Sequence, residues 1–181
     1  MKKLAVIALV LLAAASSLAA QTVPALEVQQ SSGFVEALLP DLGWRQAVIG
    51  RQLPAGSVVT SWIDAGATLG YGDSVLTLEP LSHLSVLAVG SDLVKVSLLS
   101  GGVKVQTTGL ACELEFRGMV IRIEKATAVI SDGVLSVREG SVIVSGAQDR
   151  PVPVSAGRSI LLLSSPEGPV FPVSDPWARS K

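Results

Sequence analysis

Trp44-Arg45-Gln46-Ala47-Val48-Ile49-Gly50-Arg51-Gln52-Leu53-Pro54-Ala55-Gly56-Ser57-Val58-Val59-Thr60 is the stretch that decides the fold. Its landmarks Trp44, Ala47, Gly50, Leu53 and Gly56 recur every third residue, a spacing that fits neither one helical face nor one face of an unbroken strand. An interruption is therefore built in. Gly50 supplies a break, and Leu53-Pro54-Ala55-Gly56 places Pro second and Gly fourth, as a type I turn prefers. The stretch reads as strand, kink, turn, strand.

Upstream, Phe34 to Leu39 and Trp44 to Ile49 flank Pro40-Asp41-Leu42-Gly43, a turn signal that makes the pair a hairpin. Downstream the strands come short and often. They are Ser57–Ser61, Ala67–Tyr71, Ser74–Glu79, Ser82–Val89, Leu93–Leu99 and Val103–Thr107. Cys112–Phe116, Met119–Glu124, Thr127–Ser131, Val134–Arg138, Ser141–Ser145, Val152–Ser155 and Arg158–Leu163 continue the series. Gly-Asp, Asp-Gly, Ser-Gly-Gly and Glu-Gly punctuate them, as antiparallel neighbours require. No window of eleven or more residues carries an uninterrupted helical stripe. The fold class is all-β, many short strands in a sandwich or roll without substantial helix, with a short β-solenoid as the alternative.

Two local features sharpen this reading. Cys112, Leu114 and Phe116 are even-numbered apolar positions, whereas Ile121 and Ile123 are odd-numbered, so a bulge or turn lies between Arg117 and Val120, with Gly118 to permit it. Val94-Lys95-Val96 with Gly101-Gly102-Val103-Lys104-Val105 is echoed by Leu135-Ser136-Val137 with Gly140-Ser141-Val142-Ile143-Val144, which reads as a repeated hairpin.

Four segments divide the chain. Lys2 and Lys3, the apolar run Leu4–Ala15 and small residues up to Ala20 make residues 1–20 a secretory signal peptide. The run is shorter than the roughly 20 residues of a membrane helix, so the mature chain is expected not to be an integral membrane protein. Residues 21–32 are polar and read as a flexible leader; 33–163 form the β domain; 164–181 are a proline-rich disordered tail. Loss of Lys2 and Lys3 leaves twelve basic against fifteen acidic side chains, a net charge of about −3 that argues against nucleic acid as partner. One cysteine allows no internal disulfide, so stability must come from apolar burial.

From Gly33 to Leu163 the sequence resembles the FecR-type domain, the exported part of ferric-citrate signalling regulators and of many stand-alone envelope proteins. Trp44–Thr60 resembles the family's opening. Gly72-Asp73-Ser74-Val75-Leu76-Thr77-Leu78-Glu79-Pro80, the turn around Gly101-Gly102, Val137-Arg138-Glu139-Gly140-Ser141-Val142 and Ser155-Ala156-Gly157 follow in the family's order. Arg117-Gly118-Met119 departs from the usual Arg-Gly-Thr. The resemblance implies a non-enzymatic protein-binding, signalling or scaffold module of the cell envelope, periplasmic or secreted, whose partner is an envelope protein. The family's signalling regulators carry a cytoplasmic segment and a membrane helix before this domain; neither is read here, so the ferric-citrate role does not transfer.

Few side chains offer chemistry. His83 is the sole histidine and alternates outward beside Ser85, away from Leu84 and Val86. Cys112 shares a face with Leu114 and Phe116, the pattern of a buried inert thiol, with a reactive cysteine as the alternative. Glu113, Glu115, Arg117, Arg122 and Glu124 read as cross-strand ion pairs, and Asp64, Asp73, Asp92 and Asp132 as turn residues. No catalytic, cofactor or metal residues are assigned. Trp44 reads as packed in the first hairpin, leaving Trp62 and Tyr71, which follow turns, as the partner-binding candidates. The same two aromatics support the alternative function, a glycan or peptidoglycan binding module.

Overall fold

The computed structural model describes residues 23–146 and 150–162. The predicted signal peptide and the proline-rich tail lie outside them. The chain forms β1 (Ala25–Ser32), β2 (Val35–Leu39), β3 (Gly43–Gln46), β4 (Gln52–Pro54), β5 (Val58–Ser61), β6 (Gly66–Tyr71), β7 (Ser74–Leu78) and β8 (His83–Val89). It continues through β9 (Leu93–Ser100), β10 (Val103–Thr107), β11 (Ala111–Phe116), β12 (Met119–Ser131), β13 (Val134–Ser145), β14 (Val152–Ser155) and β15 (Ser159–Leu161). Among the described residues there is no helix, and the all-β reading holds.

The deciding stretch becomes β3, β4 and β5 separated by two tight turns. Arg51 N–H bonds the Val48 carbonyl at 3.0 Å, so the Gly50 break is a real turn. The second turn sits one residue later than predicted, because Ser57 N–H bonds the Pro54 carbonyl at 3.1 Å. That puts Gly56 third in the turn with φ +87°, the left-handed position of type II rather than the fourth position of type I.

Among the described residues, fifteen strands form one hydrogen-bonded sheet that curls over on itself. One half runs β3-β2-β5-β8-β9-β11, the other β4-β1-β6-β7-β10, and β12 and β13 belong to both. Met119–Ile123 of β12 pairs with β11, and Ala126–Ile130 pairs with β10. Between them the register shifts, with Lys125 at φ +49°. Strands that switch halves at a bend are how a sheet turns a corner. All pairings are antiparallel except β9 with β11, which excludes the parallel stacking of a solenoid.

Strict alternation supplies the core. Leu26, Leu53, Leu69, Leu76, Leu84, Val96, Leu114, Ile121, Ile123 and Leu135 are fully buried in one cluster. Cys112 faces Ile123 and Leu114 faces Ile121 across the Arg117-Gly118 turn, as the change of parity required.

Two expectations need correction. Residues 25–32 are not a loose leader but strand β1, paired with β6 and β4, and Leu26 and Val28 are completely buried. Alternation is confined to Leu26–Val28; a register shift between Val28 and Gln30 follows, and Gln29, Gln30, Ser31 and Ser32, none of them buried, made the segment look unstructured. The internal echo is not a repeated hairpin, since β9 pairs with β8 and β11 while β10 pairs with β7 and β12. Its two glycines are corners. Gly101 (φ +80°) carries the chain from one half to the other, and Gly140 (φ +73°) bends β13. A Cβ at Gly101 would stand 2.5 Å from the Ser82 Cα, and one at Gly140 2.5 Å from the Lys125 carbonyl. Backbone passes there too closely for any side chain.

Candidate functional site

Alternation leaves one of any two adjacent apolar residues facing out. In Phe34-Val35, Val35 is buried and Phe34 is 52% exposed. Trp62 and Ile63 both lie in the turn after β5, exposed by 49% and 71%, and Leu81 in the turn before β8 is exposed by 60%. These four meet at one corner of the sheet. The Phe34 and Trp62 rings lie 6.0 Å apart at 51°. Trp62 N–H donates to the Phe34 carbonyl at 3.1 Å, and Leu81 N–H to the Trp62 carbonyl at 3.3 Å. The Trp62 indole N–H donates to the Glu36 carboxylate at 3.1 Å, fixing the ring over β2.

Beneath this corner lies a buried serine pair. Ser61 Oγ donates to the Glu79 carbonyl at 2.6 Å and accepts the Ser82 N–H at 3.0 Å. Ser82 Oγ donates to the Gly102 carbonyl at 2.8 Å and accepts the Gly102 N–H at 2.9 Å. These bonds pin both ends of the turn that holds Leu81 at φ +58°, a conformation costly for a branched side chain. The apolar corner is thus a rigid platform.

The two candidates from sequence do not share a surface. Trp62 precedes β6 and Tyr71 ends it, so about 17 Å of strand separates the two ends. Tyr71 is half-buried against the core, and beyond it Asp73, Ser91, Asp92, Gly109 and Leu110 line an open groove. A glycan site using both aromatics together has no geometric basis. Trp44, expected to pack in the hairpin, is instead 47% exposed on β3, whose residues all face solvent because the sheet ends there. Phe34, Ile63 and Leu81 were missed, although the adjacent pairs Phe34-Val35 and Trp62-Ile63 already signalled surplus apolar residues.

Other groups are occupied structurally. His83 Nδ1 and Thr60 Oγ1 lie 2.9 Å apart in a cross-strand hydrogen bond between β5 and β8. Cys112 is buried, and burial, with a smaller contribution from Glu113, pushes its thiol up to about 12. Of the expected set, Arg122 pairs across strands with Glu113 at 3.2 Å and along its own strand with Glu124 at 2.6 Å, while Glu113 also takes Lys95 Nζ at 2.7 Å, a partner the sequence reading did not include. Hydrogen bonding to Glu124 raises the Arg122 guanidinium above its ordinary range. Arg117 instead lies over the Phe116 ring at 4.9 Å. Among the described residues no three His, Cys, Asp or Glu side chains converge as a metal site would need.

No protein-family model and no curated protein matches the chain. Two crystal structures of a "putative anti-sigma factor" from Parabacteroides distasonis ATCC 8503 are similar to it, each at 15% identity with a TM-score of 0.48. The match covers 57% of this chain and 53% of those, so the chain spans about half the length of the structures it matches. A likeness of that size identifies neither the family nor the activity of this chain.

Proposed function

We propose that this chain is an exported FecR-like module that binds a protein partner in the cell envelope without catalysis, through the corner formed by Phe34, Trp62, Ile63 and Leu81. The observation that carries the reading is that corner: four large apolar side chains, each about half exposed or more, on a hydrogen-bonded base. Contiguous exposed apolar surface marks interaction sites, and tryptophan in particular anchors protein interfaces. A rigid base reduces the ordering cost of association. The absence of catalysis is supported by the placement of His83 on Thr60 and of the Cys112 thiol inside the core. The FecR likeness rests on the motif order, and export on the first twenty residues.

The test is a photocrosslinking amino acid at position 63, compared with one at Gln106, which lies exposed on the other half of the sheet. In intact cells the first should yield one discrete protein adduct that the second lacks. Trp62→Ala should weaken that interaction about 30-fold, the 2 kcal/mol of an interface anchor. Identical adducts at both positions, or an adduct indifferent to Trp62→Ala, would overturn the reading.

A further inference from the structure

Among the described residues, four strands of the curled sheet are bonded on one side only: β3, β4, β14 and β15. Exposed edges invite strand pairing, and natural chains blunt them with proline, shortness, cover or an inward charge. β14 follows Pro151 and contains Pro153, and β15 has three residues. β4 ends at Pro54, and just beyond it Gly56 and Ser57 exchange backbone bonds with Val86. β3 contains no proline and no bulge.

Which groups β3 presents follows from its register. Ala47 N–H bonds the Val35 carbonyl at 2.9 Å, so Ala37 with Arg45 and Leu39 with Gly43 are the hydrogen-bonded pairs of β2 and β3. Trp44 and Gln46 therefore turn their N–H and C=O groups away from β2; the Gln46 carbonyl accepts the Val48 N–H at 3.1 Å, which leaves the two N–H groups as the open donors of the edge. The Trp44 carbonyl is covered only by the adjoining Arg45 guanidinium, at 2.9 Å. Trp44 stands on the outer face opposite Leu38, while Arg45 stands on the face of buried Ala37. Arg45 forms no ion pair with the described carboxylates.

That charge selects the occupant. A second copy pairing antiparallel about Trp44 would place the two Arg45 side chains diagonally on one face, ~7 Å apart at their backbones, and like charges there repel. A strand with a carboxylate at that position gains a charge-assisted bond instead. We propose that β3 is a strand-addition site for an extended segment of the partner protein that alternates acidic residues, on the Arg45 side, with apolar residues beside Trp44. The proposal rests on the reading that the chain binds a protein, and says how part of that partner is held.

The probe is the capped heptapeptide Thr-Val-Glu-Val-Glu-Val-Thr, with a lysine-for-glutamate version as control. Amide exchange at Trp44 and Gln46, followed by NMR, should slow at least about tenfold with the acidic peptide at millimolar concentration. The lysine peptide and the Arg45→Gln variant should each bind about tenfold more weakly. Gln46→Pro removes an edge-facing N–H without touching the β2 ladder and should abolish the protection; circular dichroism checks its fold, and Arg45→Gln stands as the second variant. Unprotected amides at Trp44 and Gln46, or equal binding of the two peptides, would overturn the proposal. A discrete crosslink at position 63 that survives such a result would sink strand addition alone and leave protein binding at the corner intact.

Discussion

Replacing Gly101 by alanine separates two costs that usually arrive together. Gly101 and Gly118 have nearly the same backbone, φ +80° and +78°, so the left-handed conformation costs an alanine the same at each, about 1–2 kcal/mol. Reduced freedom of the unfolded chain returns about 0.4–1 kcal/mol in both. Space is the difference. Around Gly118 a new Cβ meets nothing within 4 Å, whereas at Gly101 it lies 2.5 Å from the Ser82 Cα and 2.6 Å from the Leu81 carbonyl. The obstacles are backbone, and relieving them moves the turn of Leu81, at a further 1–3 kcal/mol typical of overpacking, or about 2.

Gly118→Ala should therefore cost about 1 kcal/mol and Gly101→Ala about 3. With a urea slope of about 2 kcal/mol/M, the unfolding midpoints fall by ~0.5 M and ~1.5 M respectively. Far-UV circular dichroism during urea titration measures both. Gly140→Ala, blocked by the Lys125 carbonyl at 2.5 Å, should follow Gly101 rather than Gly118. Equal midpoints for Gly101→Ala and Gly118→Ala would refute the claim that the echoed glycines are close-packed corners.

Ser82→Ala would strand the Gly102 N–H inside the corner, while the Gly102 carbonyl keeps the Glu79 N–H at 3.0 Å, and should destabilise the protein by about 2 kcal/mol in the same titration; an unchanged midpoint would show the serine pair to be dispensable. Cys112 should react with iodoacetamide at pH 8 only as fast as the chain unfolds, since its thiol is buried and pushed up to about 12. Because the folded value lies above the ordinary 9.0, the unfolded chain loses its proton first: Cys112 contributes stability that is full below pH 9 and declines as pH rises toward 12. A Cys112→Ser chain whose stability falls as steeply over that window would assign the decline to other groups.

Much of this architecture was readable because sheet alternation has a fixed period. The parity change between Cys112–Phe116 and Ile121–Ile123 located a turn that the structure places at Arg117-Gly118. Alternation cannot say which strands pair. The glycines at 101 and 140 carry the same local signal as a hairpin turn, and only the approach of Ser82 or Lys125, remote in sequence, shows that they turn corners. β1 was lost for a related reason: Gln29, Gln30, Ser31 and Ser32 outnumber Leu26 and Val28, and two buried side chains suffice for a strand held by β6. Trp44 was misplaced because an edge position depends on the sheet's strand order, which local pattern does not contain.

The two halves of the sheet differ in what they leave outside, and that difference links fold to proposed function. Phe34, Trp44, Trp62, Leu87, Leu99 and Ile143 are exposed large hydrophobics on the half built from β2, β3, β5, β8 and β9 and its continuation through β13, whereas the other half exposes Val23 before β1 and Leu161 of β15, with Val48 and Ile49 in the turn leading to β4. The opposite half presents Gln30, Thr68, Thr77, Lys104, Val129 and Ser136 in register across β1, β6, β7, β10, β12 and β13, five of the six polar. A chain needing only solubility would gain nothing by concentrating its apolar excess on one face, because such a face is prone to association. Arg45 and the prolines of β4 and β14 limit pairing with further copies, while the corner of Phe34 and Trp62 is left uncovered and rigid. Edges guarded against self-association beside an open apolar corner are what a module needs if it is to hold one other protein and remain free of its own kind.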